Sequence, residues 1–211
     1  MILIGQFDSP FVRRVGVALE LLGLPYEHRA WSVFGDAEQI ASINPLIRVP
    51  TLVLDDGEVL TETFVILDAI DQMVGPDRAL TPDGGIARRR SMMISALSAG
   101  VCDKAVSMLY EQRIHQRATD AWVQRCVRQV SGGLDQLEKL RASEAAPWFA
   151  GDRLGAADIA VGAMWRFVSE TQGARFDLAS WPALGRHGEA CEALPVFRKI
   201  QQPHIFTPPK S

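Results

Sequence analysis

The chain opens on "MILIG", an unbroken apolar run that reads as a buried strand. In "DSPFVRRVGVALELLG", Asp8 to Gly23, the apolar residues Phe11, Val15, Ala18 and Leu22 return at helical spacing, and Gly23 supplies a C-terminal stop. "PYEHRA" is a weaker strand, followed by a loop with a short helix through "FGDAEQIASI". "PTLVL", "DDG" and "EVL" then form a strand, a tight turn and a second strand, the pattern of an antiparallel hairpin. "TETFVILDAIDQMVG" reads as a helix with Thr61 as N-cap and Gly75 beyond its end. The order of this first third is βαβαββα.

The stretch "GPDRALTPDGG", Gly75 to Gly85, is rich in proline and glycine and carries no apolar period, which marks a connection between domains. Everything after it reads as helix. Ile94, Leu97, Val101 and Met108 share one face of the first long helix. Val123, Val127, Val130, Leu134 and Leu137 recur in steps of four and three along the second, as in a packed seam. A third helix opens near Gly155 and runs to about Gly173, and short helices fill the C-terminus. The organisation expected is an α/β domain over residues 1–76, a linker over 77–85 and an all-α domain over 86–211.

Composition adds mostly exclusions. With 47% hydrophobic and 22% charged residues among 211, the chain is ordinary for a globular protein. A net charge of −3 offers no basis for a nucleic-acid or membrane-surface partner. No uninterrupted apolar run approaches the ~20 residues of a bilayer span, and no basic segment precedes the first apolar residues as in a signal peptide. Cys102, Cys126 and Cys191 are odd in number and far apart, so buried free thiols and a reducing, cytoplasmic location are expected. His28, His115, His187 and His204 lack metal-ligand spacing, and no metal is expected.

The βαβαββα order brings three short segments together: Ser9-Pro10-Phe11, Asn44-Pro45-Leu46-Ile47-Arg48-Val49-Pro50, and Leu60-Thr61-Glu62-Thr63. With these in view, the chain resembles the cytosolic glutathione transferases. "SPFVRRV", "NPLIRVPTLV" and "LTETFVILDAID" match that family's "SPF-x-R", "NP-x-x-x-VP-x-L" and "E-S-x-x-I" segments in order and spacing, and "FAGDRLGAADIAVG" matches its C-terminal "G-x-x-x-S-x-A-D" segment. The likeness covers essentially the whole chain. Its opening is similar to a bacterial subgroup that begins Ser-Pro-Phe, and to the plant tau class. The resemblance implies a thioredoxin-like N-terminal domain, an all-helical C-terminal domain, and a homodimer.

What the resemblance implies residue by residue has a physical logic. In the family the bond before Pro50 is cis, which turns the Val49 backbone toward the cysteinyl backbone of glutathione; only an X-Pro bond adopts cis at modest cost. Otherwise Pro50 is a trans proline opening an edge strand. Glu62 and Thr63 stand at a helix start, where free N–H groups attract anions. There Thr63, usually Ser in the family, would hold the γ-glutamyl carboxylate and Glu62 the ammonium beside it. The blander alternative is a cap at Thr61 with Glu62 complementing the helix dipole. Arg48 is placed to meet the glycyl carboxylate, and Ile47 occupies a position where many relatives have glycine. Phe11, Met108, Tyr110 and Trp165 are candidates to wall an electrophile site in the cleft between domains, although core positions explain them equally well. Gly155 replaces the usual Ser or Thr of a capping box, and Asp158 can still reach back to its N–H, with Leu154 and Ile159 as a hydrophobic staple.

The implied activity is transfer of the glutathione thiolate to a small apolar electrophile or a peroxide centre, with glutathione as co-substrate and no other cofactor. Two alternatives stay open. A non-catalytic glutathione-binding or scaffold protein would keep the fold without chemistry. A thiol–disulfide oxidoreductase needs a cysteine where Ser9 stands, since a hydroxyl cannot form the mixed disulfide. Ser9 itself has two readings. It is either the cap of the first helix or the donor of a hydrogen bond to the glutathione sulfur.

Overall fold

In the computed structural model, residues 1–115 and 119–205 are described; the last six positions of the expected helical domain lie outside them. The chain divides into two compact units, Met1–Asp83 with the residues from Pro195 onward, and Gly84–Leu194.

The first unit contains β1 (Ile2–Ile4), α1 (Pro10–Leu22), β2 (Glu27–Arg29), α2 (Ala37–Ala41), β3 (Thr51–Val53), β4 (Val59–Thr61) and α3 (Thr63–Val74). Its four-stranded sheet has the order β2-β1-β3-β4, with β1 parallel to β2 and antiparallel to β3, and β3 antiparallel to β4. This is the expected thioredoxin-like topology. Leu3 lies opposite Leu52, and both are buried with Ile4. Against them, α1 buries Val12, Val15, Ala18 and Leu19, and α3 buries Ile66 and Ile70, each worth roughly 1.5–3 kcal/mol for the larger side chains. Because α1 is buried almost all round, its seam is broader than the one sequence spacing suggested, and Phe11 falls outside it at a half-exposed position.

Thr61 is not the cap of α3. It ends β4, paired with Thr51, and the cap position falls to Glu62. The stretch after α3 is tied down: the buried carboxylate of Asp71 accepts from the Leu80 amide at 2.7 Å and the Thr81 amide at 3.1 Å. Hydrogen bonds to a charged group contribute about 1.5–3 kcal/mol. From Pro195 the chain belongs again to this unit: in α8 (Pro195–Lys199), the Phe197 carbonyl accepts from Nη2 of the buried Arg13 at 3.1 Å. The sequence boundary at residue 86 held the rest of the chain in the helical domain, and this return carries no periodic signal that would have marked it.

The second unit is helical: α4 (Gly85–Tyr110), which runs on into a π turn at Glu111–His115, α5 (Asp120–Ala142), α6 (Ala156–Gln172) and α7 (Pro182–Glu192). Gly85–Ile114 is long and apolar enough by composition to cross a bilayer, but it packs against α5 and α6 in the helical core. Ile94, Val101, Ala105 and Met108 of α4 are buried, with Cys126, Val130, Leu134 and Leu137 of α5. The seam of α5 therefore runs through Cys126 rather than through Val123 and Val127, which are half-buried. All three cysteines are buried free thiols.

α6 opens on the box anticipated at Gly155. Asp158, fully buried, accepts from the Gly155 amide at 2.9 Å with Oδ2 and from the Phe149 amide at 2.9 Å with Oδ1. The ring of His187 lies beside it: Nε2–H donates to the Asp158 carbonyl at 3.3 Å, and Nδ1 is buried without a partner among the described residues. Asp158 thus fastens a loop to a helix start, and its role is structural.

Burial pushes the His187 imidazole down to about 4, and pushes the Asp158 carboxyl up to about 6 against its two backbone donors. The two shifts act in opposite senses. The stability owed to a neutral His187 is complete above its ordinary 6.5 and is lost as pH falls through about 4. The contribution of protonated Asp158 is complete below its ordinary 3.8 and is lost as pH rises through about 6. In the parent protein they largely offset between those limits. In His187→Asn only the Asp158 contribution remains, so the stability difference, parent minus variant, should shrink by up to about 3 kcal/mol from pH 7 to pH 4. Urea unfolding of both proteins at several pH values measures this; a pH-independent difference contradicts it.

Candidate functional site

The site is built at the ends of three elements of the first unit. Phe11, Asn44, Leu46, Arg48, Val49, Pro50, Thr61, Glu62 and Thr63 line one shallow, open cleft. Of the residues expected from sequence, Phe11, Arg48, Val49, Pro50, Glu62 and Thr63 are thus brought together. Met108 is fully buried, a core residue of α4. Trp165 packs its indole edge over Gly188 of α7, in space that a Cβ would fill. Tyr110 is half-buried at the end of α4.

One wall is the start of α3. Its first intrahelical hydrogen bond is donated by Ile66 to the Glu62 carbonyl at 3.0 Å, and no side chain caps the end. The amides of Thr63, Phe64 and Val65 therefore have no partner within the helix. Free donors and the positive end of the helix dipole together make an anion site. Thr63, buried at the first helical position, lines the cleft at this end.

Glu62 holds that end in an unusual conformation, φ 68° and ψ 128°. A side chain at positive φ and extended ψ is strained by about 1–3 kcal/mol and persists where its surroundings overdetermine it. The constraint is visible on both sides, since Thr61 is bound into the sheet and Thr63 into the helix. The carboxylate of Glu62 is 3.1 Å from Arg48 Nη1. Both side chains are more than half exposed, so the pair is worth at most about 1 kcal/mol. It is an exchangeable contact across the cleft.

The opposite wall is the segment before β3, and Asn44 holds it. Asn44 is 1% exposed; its Oδ1 accepts from the Leu46 amide, while Nδ2 donates to the Arg48 carbonyl and to Thr51 Oγ1, each at 3.0 Å. The turn it encloses puts Ile47 at φ 50°, a genuine outlier for a β-branched residue and the physical reason a glycine suits this position. Val49–Pro50 is cis. Val49 approaches Gly5 so closely that a Cβ there would lie 2.8 Å from the Val49 Cβ, and Gly5 has φ 125°, so both space and backbone call for glycine. Asn44, Leu46 and Thr61 lie in the segments that the sequence brings together, but the sequence assigns none of them a role in binding. The Asn-Pro pair before a strand was the signal for the first.

Ser9 does not line the cleft itself but heads the helix whose second residue, Phe11, does. It is the N-cap of α1: its carbonyl accepts from the Arg13 amide at 3.0 Å and its hydroxyl from the Val12 amide at a long 3.4 Å. Pro10 has no N–H to satisfy, which removes one of the orphan donors. A hydroxyl that accepts with one lone pair keeps its own proton to donate. Capping and donation to a ligand are compatible at this residue.

Residues 3–78 match the family described as glutathione S-transferase, N-terminal domain, and residues 120–188 its C-terminal domain. A glutathione S-transferase of Methylobacterium radiotolerans, solved in complex with glutathione sulfonate, is 29% identical, covers 98% of this chain and 97% of its own, and superposes with a TM-score of 0.88. The maleylacetoacetate isomerase of Rattus norvegicus is 26% identical over 93% of this chain and 90% of its own. A bacterial maleyl pyruvate isomerase, described as a zeta-class glutathione S-transferase, is 25% identical with a TM-score of 0.80, over 95% of this chain and 96% of its own.

Proposed function

Because the chain belongs to the glutathione S-transferase superfamily, we propose that it lowers the pKa of the glutathione thiol with Ser9 and transfers the thiolate to a small apolar electrophile. The observation that carries this reading is the uncapped start of α3, with Glu62 and Thr63, facing Val49 and Pro50 across one cleft. Glutathione is the co-substrate. Its γ-glutamyl carboxylate lies on the free amides and hydroxyl of Thr63, its ammonium on Glu62, and its cysteinyl backbone along Val49. Arg48, released from Glu62 or shared with it, meets the glycyl carboxylate. Phe11 is an apolar wall beside the sulfur.

A free thiol has a pKa near 8.5, so most of it is protonated at neutral pH. A hydrogen bond from Ser9 to the thiolate, worth about 1.5–3 kcal/mol, lowers that value by roughly one to two units. The thiol proton passes to water, the sulfur forms a bond to the electrophilic carbon, and the displaced electron pair leaves with a leaving group or settles on a conjugated carbonyl. The Ser-Pro-Phe opening suggested a tau-like subgroup; the relatives that span the chain favour the zeta class and its isomerases instead.

Those relatives support a second reading, isomerisation. The thiolate adds to a cis double bond conjugated with a carbonyl, the resulting single bond rotates, and elimination restores both the double bond and the thiolate. Stoichiometry separates the two. Transfer consumes one glutathione per product, whereas isomerisation of maleylacetoacetate proceeds with total thiol constant. A homodimer belongs to the proposal as well, covering the exposed Phe64, Val65 and Met73 of α3 and Ile86, Met92 and Met93 of α4. Sedimentation should show twice the 23.2 kDa chain mass, and a monomer at micromolar concentration contradicts it.

Two variants test the site by failing differently. Ser9→Ala should raise the pKa of bound glutathione by roughly one to two units and slow transfer, with little loss of affinity. Glu62→Ala should weaken binding by about 1–3 kcal/mol and leave the bound-thiol pKa near that of the parent. Thiolate absorbance titrations and calorimetry give both quantities. If Ser9→Ala lowers only the melting temperature, Ser9 is a cap alone; if a folded Glu62→Ala protein binds glutathione as the parent does, the peptide is placed wrongly.

A further inference from the structure

The residues from Pro195 to Ile205 return to the first unit. They lie along the loop Gly5–Ser9, which joins β1 to α1 and ends on the serine assigned to the sulfur. Arg13 of α1, already bonded to the Phe197 carbonyl, also lies 5.3 Å from the centre of the Phe197 ring. Beyond α8, Gln202 Oε1 accepts from the Phe7 amide at 3.0 Å. The Ile205 amide donates to Asp8 Oδ2 at 3.0 Å. Two successive residues of the loop are therefore held by side-chain and backbone groups almost 200 positions away.

The remaining contacts make the loop a closed assembly. The Gly5 amide donates to the Arg29 carbonyl at 2.9 Å, and His28 Nε2–H donates to the Gly5 carbonyl at 2.8 Å. The His28 ring stacks on Phe7 at 3.9 Å. Gly16 of α1 makes room beneath: a Cβ there would lie 2.6 Å from Phe7 Cε1 and 3.2 Å from Ile200 Cδ1, so ring and tail close on bare helix backbone. The Ser9 amide then turns back to the Gln6 carbonyl at 3.2 Å.

Against this, the local anchor of the Ser9 hydroxyl is weak, a 3.4 Å contact to the Val12 amide, and Pro10 has no donor to add. The placement of Ser9 therefore depends on the backbone around it, and the tail holds the part that precedes it. We propose that the C-terminal segment is a strap that positions Ser9, and that Gln202 is a positioning residue for thiol activation, acting through the Phe7 amide. This rests on the reading of Ser9 as the donor to the sulfur. Asn44, Glu62 and Thr63 lie on other segments, so loosening the strap should spare glutathione affinity.

The test compares Gln202→Met, which keeps length and removes the acceptor, with Gln202→Glu, which keeps an acceptor, and with Ser9→Ala. In Gln202→Met the Phe7 amide should exchange its hydrogen faster, the bound-thiol pKa should rise by up to about one unit, and kcat should fall on the order of tenfold. Glutathione affinity should be unchanged, and Gln202→Glu should resemble the parent. Unchanged exchange in Gln202→Met overturns the strap. Faster exchange with parent thiol pKa and kcat overturns it as well, provided Ser9→Ala does move them. Should Ser9→Ala leave the thiol pKa unchanged, the role assigned to Ser9 is the part that fails, and the positioning role of Gln202 falls with it.

Discussion

The amides at the start of a helix cannot bond within it, and the first unit is arranged around two such ends. At α3 the end is left open, since its cap residue Glu62 makes no side-chain hydrogen bond to it. At α1 it is only lightly closed, by one long contact from Ser9 and by a proline that needs no partner. Most helices satisfy these donors with a cap. An end left open in a solvent-facing cleft is satisfied by water and can exchange it for an anion. The sheet serves this arrangement: the antiparallel β3–β4 pair delivers the cis Val49–Pro50 segment and the start of α3 to facing sides of the same space.

The helical unit uses the same physics for the opposite purpose. At Gly155 the orphan amide is closed by a buried carboxylate, which also takes the Phe149 amide, and a neutral imidazole lies beside it. A carboxylate in a cleft with exchangeable partners and a carboxylate sealed under a loop are the same group in two environments. Only the first is left able to meet a ligand. That contrast is why Glu62 reads as a site residue and Asp158 as a fixture.

Much of this was legible in the sequence because it depends on short-range signals. Glu-Thr before an apolar helix and the Asp-Asp-Gly turn carry their conformation locally, whereas Val-Pro alone fits a trans edge proline as well, and the cis bond follows only from the family resemblance. Where the reading fell short, the cause was a longer-range constraint. Thr61 has the chemistry of a cap, but pairing with Thr51 claims its backbone for the sheet. Phe11 fits a helical period, but α1 is buried on so many sides that period alone does not select its core face. The bonds made by Asn44 close a turn within eight residues yet leave no pattern of apolar positions. Gln202 and Phe7 are almost the whole chain apart, and nothing in either neighbourhood announces the other.

The left-handed backbone at Glu62 has a consequence for how such a protein can change. Glycine is the residue that backbone prefers, and a carboxylate is the residue the cleft employs. Selection for thermal robustness alone, in a laboratory library or in a lineage that has lost its substrate, would draw this position toward glycine. The fold would tighten while, on the proposed placement of glutathione, its ammonium lost its counter-charge. A glycine here in a close homologue would mark a chain released from its chemistry, and an acidic residue retained against the strain would mark one still held to it.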